Sequence, residues 1–367
     1  MLKQYRLRDY KFRLILWVIA LSVLGIMIIG SADKDVQQKQ IIGLIAGLLL
    51  MVIVSLIDYV WLLKFYWIFY FIGLALLGAV ILRGTNVNGA TRWLVIAGIQ
   101  IQPSDIMKII LIMFFAQFFS KHEDDLSTFK TIVMSLIILV VPWYLIYKQP
   151  NLSTSILTLL LFATIYFVAG LSYKVIGGII AVCIPVVPIF ANLLLKPGQT
   201  FVQEYQLIRI LAWLYPEQYP DAAAQQINSI IAIGSGQLYG KGLETTAVES
   251  VKNGNFLAEA QTDFIFAVAG EELGFLGCCI IIILEILIAL ECFYIGRNAR
   301  EMSGTILCSG MGALIGIQSI MNICVATGLM PNTGLPLPFV SAGLTSLMTL
   351  FIGIGLVLNV GLQVKKY

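Results

Sequence analysis

Charged side chains are scarce in this sequence. Only 12% of its 367 residues are Asp, Glu, Lys or Arg, whereas 59% are hydrophobic. Soluble globular domains have about 25% charged and about 45–50% apolar residues. So few charged side chains could not cover the surface of a water-soluble chain of this length. The composition therefore excludes an ordinary soluble domain and indicates a protein that folds in lipid.

Histidine, paired cysteines and basic clusters are equally scarce. The one histidine, His122, lies in the charged segment 120–125, so an imidazole is not expected to act as a general base. The six cysteines have no paired spacing of the metal-ligand kind and are expected to be small core residues. No basic block with interleaved aromatic residues is present, which argues against nucleic acid as a partner.

Long apolar runs predict ten membrane-spanning helices, because a helix needs about 20 apolar residues to cross the hydrocarbon. We therefore predict an all-α integral membrane fold: a polytopic bundle of about ten transmembrane helices that forms a single domain over residues 1–367. The predicted spans are 14–31, 41–57, 61–82, 104–120, 130–147, 152–170, 173–195, 264–290, 303–328 and 339–363.

The basic residues predict the orientation of this bundle. Five of them precede the first span, and an even number of spans places Lys365 and Lys366 on the same side. The positive-inside rule then predicts cytoplasmic N- and C-termini for this multi-pass membrane protein. The five are Lys3, Arg6, Arg8, Lys11 and Arg13.

The longest connection, about 196–263 between spans 7 and 8, falls on the outer side. A connection of this length in a bundle is usually functional or disordered. Disorder fits poorly, since the segment is rich in Ile, Leu, Tyr and Trp, and we expect short helices on or in the outer leaflet. Function is therefore predicted to face outward.

Acidic residues mark the start of span 8. Glu259 and Asp263 are four residues apart, which places both carboxylates on one face of a helix. Asp263 is either the N-cap of that helix or a partly desolvated general base. Glu271 and Glu272 lie about two turns deeper, where acids either face a cavity or hold the bundle together.

Two other segments combine basic and polar residues near the outer face. Arg92 precedes a helix that starts at Pro103, on which Asp105 and Lys108 are three residues apart and can pair. Such a helix start with nearby cations suits a diphosphate, although a purely structural ion pair is an equal alternative. The glycine-rich segment 234–242 lacks the spacing of a nucleotide-binding loop, so that function is rejected.

Polar and irregular sequence also follows span 9. Gln318 and Asn322 lie one turn apart within that span, and residues 328–343 contain three prolines and several glycines. Irregular backbone at membrane depth persists only where it is buried in protein or lines a cavity.

These segments together resemble the shape, elongation, division and sporulation (SEDS) family, the RodA and FtsW group, with the RodA branch the closer. The resemblance covers nearly the whole chain, although Asp105 stands where the family commonly has Glu, and Asn151 where it has Asp. The matching segments are 89–93, 102–105, 149–154, 234–242, 262–274 and 331–343.

The resemblance implies a peptidoglycan glycosyltransferase that polymerises lipid II at the outer face of the bacterial cytoplasmic membrane, with Asp263 as its essential acid. As a hypothesis, Asp263 takes the proton of the acceptor 4-hydroxyl, which attacks C1 of the donor, and undecaprenyl diphosphate leaves with inversion. Arg92, Lys108 and Arg209 would neutralise the diphosphate, with Asp105 orienting Lys108. The other expected substrate-binding residues are Glu259, Gln318, Asn322, Thr333, Pro338 and Ser341.

The resemblance also bears on cofactors and partners. A divalent cation, Mg²⁺ or Mn²⁺, could assist, whereas no organic cofactor and no protein-built metal site is expected. Lipid II is the expected substrate and a class B penicillin-binding protein the expected partner. The alternatives are a flippase for the lipid-linked precursor, a scaffold without activity of its own, and a division role in place of elongation.

Overall fold

The described part of the chain is built almost wholly from α-helices, as predicted. The computed structural model describes residues 9–87, 90–96, 99–178, 181, 184–185, 203–243, 257 and 260–363. The helices are α1 (Phe12–Ala32), α2 (Lys34–Leu56), α3 (Tyr59–Leu63), α4 (Tyr66–Arg83), α5 (Pro103–Lys121), α6 (Phe129–Lys148), α7 (Leu152–Val168), α8 (Glu204–Leu214), α9 (Pro220–Ser235), α10 (Ile265–Arg297), α11 (Met302–Ala326) and α12 (Leu344–Leu362).

The long helices correspond to the predicted spans. Within the described residues, eight helices are long and apolar enough to cross a membrane: α1, α2, α4, α5, α6, α10, α11 and α12. Helix α7 is apolar but shorter, at 17 residues. Predicted span 173–195 lies largely outside the described residues, with helical backbone at 173–178, so the total of ten stays a prediction.

Three helices form the centre of the bundle. In α5, α11 and α12, 83%, 78% and 72% of the most apolar 18-residue window is buried, against 22% in α4. The outer helices expose large apolar side chains such as Ile42, Phe71 and Ile137, as a lipid-facing surface requires. The central helices also contain most of the buried polar side chains considered below, which the outer helices shield from lipid.

A small antiparallel sheet connects α4 to α5, and the sequence analysis does not predict it. Its strands β1 (Thr85–Val87), β2 (Ala90–Ile96) and β3 (Ile99–Ile101) pair in the order β1-β2-β3. Thr85 pairs with Trp93 on one side of β2, and Leu94 pairs with Ile101 on the other. Strands this short show too little alternation of apolar and polar residues to be predicted from sequence. They nevertheless determine the position of Arg92.

The segment predicted to form a large outer loop contains two short amphipathic helices, α8 and α9. Helix α9 begins with Pro220 at its first turn and packs against α10 and α11. Helix α8 packs against α9. Helix α9 turns small and polar side chains toward the bundle, namely Ala223, Gln226, Ser229 and Ala232, and exposes Ile227, Ile230 and Ile231. This part of the segment is therefore ordered structure, and its outward orientation stays a prediction.

Candidate active site

Asp263 lies in the turn that leads into α10. The N-cap residue of α10 is Phe264, so Asp263 stands one position before the cap and not at it. Its side chain is half-buried and lies next to Gly334: a Cβ atom placed on that glycine would be 3.1 Å from Asp263 Oδ2 and 3.9 Å from Arg209 Nη1. The structure thus brings together the predicted base and one predicted cation at the proline-rich segment.

The main chain around Asp263 is held by Asn322 of α11. The Nδ2 group of Asn322 donates to the Asp263 carbonyl at 2.8 Å and to the Leu335 carbonyl at 2.7 Å. One buried amide therefore joins the acidic turn to the proline-rich segment. Because both donors are used by the protein, Asn322 fits a role in positioning Asp263 better than direct substrate binding.

Ser341 makes a second connection between the same two segments. Its Oγ atom donates to the Thr262 carbonyl at 2.6 Å and accepts from the Leu337 amide at 2.7 Å. The Ala342 amide donates to the Gln261 carbonyl at 2.9 Å. Pro338 is buried within the segment that these bonds enclose. The irregular backbone predicted after span 9 is thus mostly buried in protein from Leu335 to Ala342, and its half-buried start, residues 330–333, lines a cavity.

Lys108 and Asp105 form the ion pair that their spacing predicts. Lys108 Nζ lies 2.8 Å from Asp105 Oδ1 and donates to Gln318 Oε1 at 3.0 Å. Both side chains of the ion pair are about 95% buried. Gln318 in turn donates to the Pro336 carbonyl at 2.8 Å. This network connects α5 to the proline-rich segment through α11, and its cation already has a carboxylate partner.

Arg92 and Arg209 are arranged differently, because both line an open cavity. Arg92 comes from β2 and bonds the Pro150 carbonyl and the hydroxyl of Tyr205, the latter at 3.1 Å. Burial lowers the pKa of Arg209 from its ordinary value, and the neighbouring Arg92 charge lowers it further, whereas Asp263 and Tyr205 raise it. Two guanidinium groups close enough to repel each other create a positive site suited to an anion.

The cavity has a volume of about 630 Å³ and walls that are almost entirely apolar away from the arginines. It lies between α6, α7, α8 and the start of the proline-rich segment. A pocket of this composition suits a ligand with an apolar chain and an anionic group. Its walls include Trp143, Tyr144, Leu152, Ile156, Leu159, Ile210, Met321 and Met330.

Four buried polar atoms of the cavity residues have no hydrogen-bond partner among the described residues. They are Arg92 Nε, Trp143 Nε1, Asn332 Oδ1 and Thr333 Oγ1. An unpaired buried polar atom costs about 1–3 kcal/mol, so a native structure rarely keeps several of them in one place without a ligand. Their concentration in this cavity marks it as a binding site.

The predicted site residues therefore divide into three groups. Asp263, Arg92, Arg209 and Thr333 lie at or beside the cavity. Asp105, Lys108, Gln318, Asn322, Pro338 and Ser341 lie in the buried framework behind it, and Glu259 is outside the described residues. Their roles in binding stay predictions. Among the described residues no group of three or more His, Cys, Asp or Glu side chains could hold a metal ion.

Trp143, Tyr205 and Asn332 line the cavity but were not predicted as site residues. Trp143 and Tyr205 are read from sequence as membrane-interface or core aromatics, and Asn332 as a turn residue. Of these three, only Asn332 lies in a segment that the sequence indicated as a candidate cavity lining, namely the proline-rich motif. The two aromatic residues are identified as site residues only by the fold, which brings them to the same cavity as Arg92.

The chain is similar to known proteins over nearly its whole length. Residues 11–366 match the family model of FtsW, RodA and SpoVE, which is described as a cell cycle protein. The chain is 32% identical over 359 residues to the probable peptidoglycan glycosyltransferase FtsW of Trichlorobacter lovleyi, covering 94% of this chain and 91% of that protein. It is 33% identical over 338 residues to the peptidoglycan glycosyltransferase MrdB of Escherichia coli K12, covering 90% and 87%.

Solved structures share the fold. A chain from a peptidoglycan synthase complex that coordinates polymerization and crosslinking superposes with a TM-score of 0.80 at 28% identity, covering 96% of this chain and 97% of that one. The rod shape determining protein RodA of Thermus thermophilus superposes with a TM-score of 0.69 at 25% identity, covering 96% of each chain.

Proposed function

Because the chain belongs to the FtsW, RodA and SpoVE family, we infer that it is a peptidoglycan glycosyltransferase of the cytoplasmic membrane. It is a multi-pass membrane protein and an enzyme. We propose lipid II as its substrate, with undecaprenyl diphosphate as the leaving group and inversion at the donor carbon. The relatives named FtsW and MrdB are about equally identical to this chain, so a specific role in elongation rests on the RodA-like segments.

The cavity beside Asp263 is the observation that supports this substrate. A polyprenyl diphosphate has a long apolar chain and a compact anion, and the cavity offers apolar walls next to two arginines. Planar guanidinium groups bind phosphate oxygens in pairs. Arg92, Trp143 and Thr333 line this cavity and each has a buried polar atom without a partner among the described residues, which would gain one if the side chain turned toward the diphosphate or its sugar.

We propose that Asp263 acts as the base beside this anion site. Its carboxylate would accept the proton of the acceptor hydroxyl while that oxygen forms a bond to the donor carbon. The bond from that carbon to the diphosphate breaks, and its electron pair leaves with the diphosphate. Arg209, which interacts with both Asp263 and Arg92, would stabilise the charge as it develops.

Lys108 has a different role in this proposal from the one its sequence motif predicts. Its ammonium group is buried, paired with Asp105 and bonded to Gln318. We propose that it holds the proline-rich segment in place and that Arg92 and Arg209 neutralise the diphosphate. A divalent cation, if used, would be held by the substrate's diphosphate and by water, because coordination would remove the basicity that this proposal requires of Asp263.

A partner protein is also proposed. The similar solved chain belongs to a complex that coordinates polymerization and crosslinking. A chain that only makes glycan strands needs a second activity to cross-link them. We therefore propose a class B penicillin-binding protein as the partner, in agreement with the SEDS resemblance.

The decisive experiment is glycan polymerisation from lipid II by the purified protein with its partner, whose transpeptidase is blocked. We expect polymer from the wild type and a loss of about 10²-fold or more from Asp263→Ala, since a general base contributes about 10²–10⁴-fold. Size-exclusion profiles of both proteins control for folding. Equal activity would remove Asp263 as the base. Movement of lipid II between leaflets without any polymer would establish the flippase alternative.

A further inference from the structure

A second group of polar contacts lies on α10, about two turns beyond Asp263. The helix is interrupted at Gly274, whose φ and ψ are 66° and −163°. The interruption separates an outer half, residues 265–273, from an inner half, residues 275–297. Asp263 stands directly before the outer half, so the angle between the two halves determines where the proposed base lies.

The segment 237–242 is hydrogen-bonded to both sides of this interruption. A break in a helix leaves carbonyl and amide groups without their usual partners, which lipid cannot supply. Here that segment supplies them through main-chain bonds on each side of Gly274. The bonds are Lys241 N to Glu271 O at 2.9 Å, Gly242 N to Glu272 O at 2.9 Å, Phe275 N to Gln237 O at 2.8 Å and Leu276 N to Leu238 O at 3.2 Å.

Glycines allow this close approach of two backbones. A Cβ atom on Gly236 would lie 1.9 Å from the Gly270 carbonyl oxygen, and one on Gly240 would lie 2.1 Å from the Glu272 carbonyl oxygen. Gly240 and Gly274 also have φ values of +79° and +66°, which favour glycine. The glycine-rich motif 234–242 is thus explained by packing on α10 and not by phosphate binding.

Side chains add an ion pair to the same contact. Lys241 Nζ lies 2.8 Å from Glu271 Oε1, and the Glu271 side chain is fully buried while that of Lys241 is 24% exposed. The next residue, Glu272, accepts a hydrogen bond from Ser31 at the end of α1. The outer half of α10 is therefore held from two sides, by the segment 237–242 and by α1.

We propose that Lys241 is a positioning residue for the glycosyltransferase reaction, which it serves by holding the outer half of α10, and hence Asp263, through its ion pair with Glu271. This inference rests on the proposed function. Asp263 is about 16 Å along the helix axis from the interruption at Gly274, so a rotation of roughly 4° there would move the carboxylate by about 1 Å. A displacement of about 1 Å can reduce a rate by about 10²-fold.

The test compares Lys241→Met with Lys241→Arg and with a control, Lys64→Met, at an exposed lysine remote from α10. Polymerisation is measured as a function of lipid II concentration. We expect kcat of Lys241→Met to fall by about tenfold or more with KM within about twofold, since the substrate cavity is unchanged. Lys241→Arg should recover most of the rate, and Lys64→Met should equal the wild type.

Hydrogen–deuterium exchange of the same proteins separates positioning from general stability. In Lys241→Met, faster exchange should be confined to peptides covering residues 260–276 and 237–242. Faster exchange throughout the bundle, or a kcat loss that only follows the folded fraction, would overturn the proposal. If Lys241→Met does not fold, the charge-reversed double variant Lys241→Glu with Glu271→Lys is measured instead. A kcat close to that of the wild type supports the proposal. A double variant that folds but has a low kcat contradicts it.

The two proposals fail in different ways. A wild-type protein that makes no polymer, with an active partner and intact lipid II, ends the proposed function and this inference with it. A wild type that polymerises while Lys241→Met has the same kcat overturns the positioning proposal alone and leaves the function intact.

Discussion

At the residue scale, the two cavity arginines are chemically distinct from the buried lysine. Arg92 and Arg209 face the same space and repel each other, whereas Lys108 is neutralised by Asp105 within the framework. Lys108 is buried and does not line the cavity, whereas both arginines do, and Arg209 also interacts with Asp263. The arginines are therefore the cations that a ligand in the cavity can contact, and their substitution tests the cavity directly.

Arg209→Lys should make catalysis newly sensitive to alkaline pH. Burial and Arg92 lower the pKa at this position, so a lysine here would titrate below its ordinary value of about 10.4. The lysine is charged below that lowered pKa and loses its charge as pH rises through it, whereas the wild-type guanidinium stays charged. We expect the ratio of kcat/KM for Arg209→Lys to that of the wild type to fall as pH rises toward about 10.4, the ordinary pKa of lysine.

The matched control for this prediction is Arg297→Lys, at the end of α10 remote from the cavity. Its pH profile should follow the wild type. A flat ratio for Arg209→Lys across the same range would show that the charge at this position does not act on the substrate.

At the element scale, the proline-rich segment between α11 and α12 forms one wall of the site. It has no regular hydrogen bonding of its own, and side chains of α11 and Ser341 satisfy its carbonyls and amides. Gly334, with φ +69°, brings the segment against the Asp263 carboxylate. The position of Asp263 is therefore set by contacts far from it in sequence.

Asn322→Leu should reduce catalysis more than stability alone explains. The leucine has a similar volume but no donors, so the Asp263 and Leu335 carbonyls both lose a hydrogen bond at a cost of about 1–3 kcal/mol each. We expect a lower melting temperature together with a loss of kcat of about tenfold or more in the folded fraction. Thermal unfolding in detergent and single-turnover polymerisation provide the two measurements.

Asn359→Leu is the control for this prediction. Asn359 is as buried as Asn322 and donates to the Ser55 carbonyl at 2.7 Å, but it lies near the opposite end of the bundle. It should lose comparable stability while kcat per folded molecule stays unchanged. Equal losses of kcat in both variants would mean that Asn322 acts only through stability.

At the scale of the whole molecule, the arrangement of buried helices indicates how an enzyme embedded in a membrane can accommodate charged side chains. The central helices α5, α11 and α12 are shielded from lipid, and Asp105, Lys108, Gln318 and Asn322 are on two of them. Charged groups are costly in hydrocarbon, so they are found where protein surrounds them. The cavity opens beside this centre, where apolar and anionic parts of one ligand can both be accommodated.

The orientation of the molecule in the membrane can be tested with two exposed turns. Asp124 lies between α5 and α6 on the predicted cytoplasmic side, and Gln218 lies between α8 and α9 on the predicted outer side. Each is replaced by cysteine in a background without the native cysteines. A membrane-impermeant maleimide should label Gln218→Cys in intact spheroplasts and Asp124→Cys only after permeabilisation.

The opposite labelling pattern would place the cavity on the cytoplasmic side. Lipid II polymerisation at the outer face would then be impossible for this site, and the positive-inside argument would be wrong for this chain. Labelling of both positions only after permeabilisation would instead show that α8 and α9 are not on the outer surface.

The sequence by itself determined the fold class, most of the spans and the acid that precedes α10. Apolar run length depends on the bilayer thickness and not on tertiary contacts, so spans can be read locally. The ion pair between Asp105 and Lys108 was also predictable, because side chains three positions apart on a helix are neighbours on the same face. An acid at a membrane boundary singles out Asp263 as either a helix cap or a base, and the SEDS resemblance is what implies its catalytic role, which stays a prediction.

Tertiary structure alone decided which polar groups meet and which remain available. Arg92 and Tyr205 are 113 residues apart in sequence, and Lys108 and Gln318 are 210 apart, so no local pattern could show that the first pair lines a cavity and the second closes a buried network. The glycine motif 234–242 is a further example, because only the fold shows that it packs against the helix interruption at Gly274. A group's availability depends on its partners in space, because burial and pairing, and not residue type, determine whether a charge can bind a ligand.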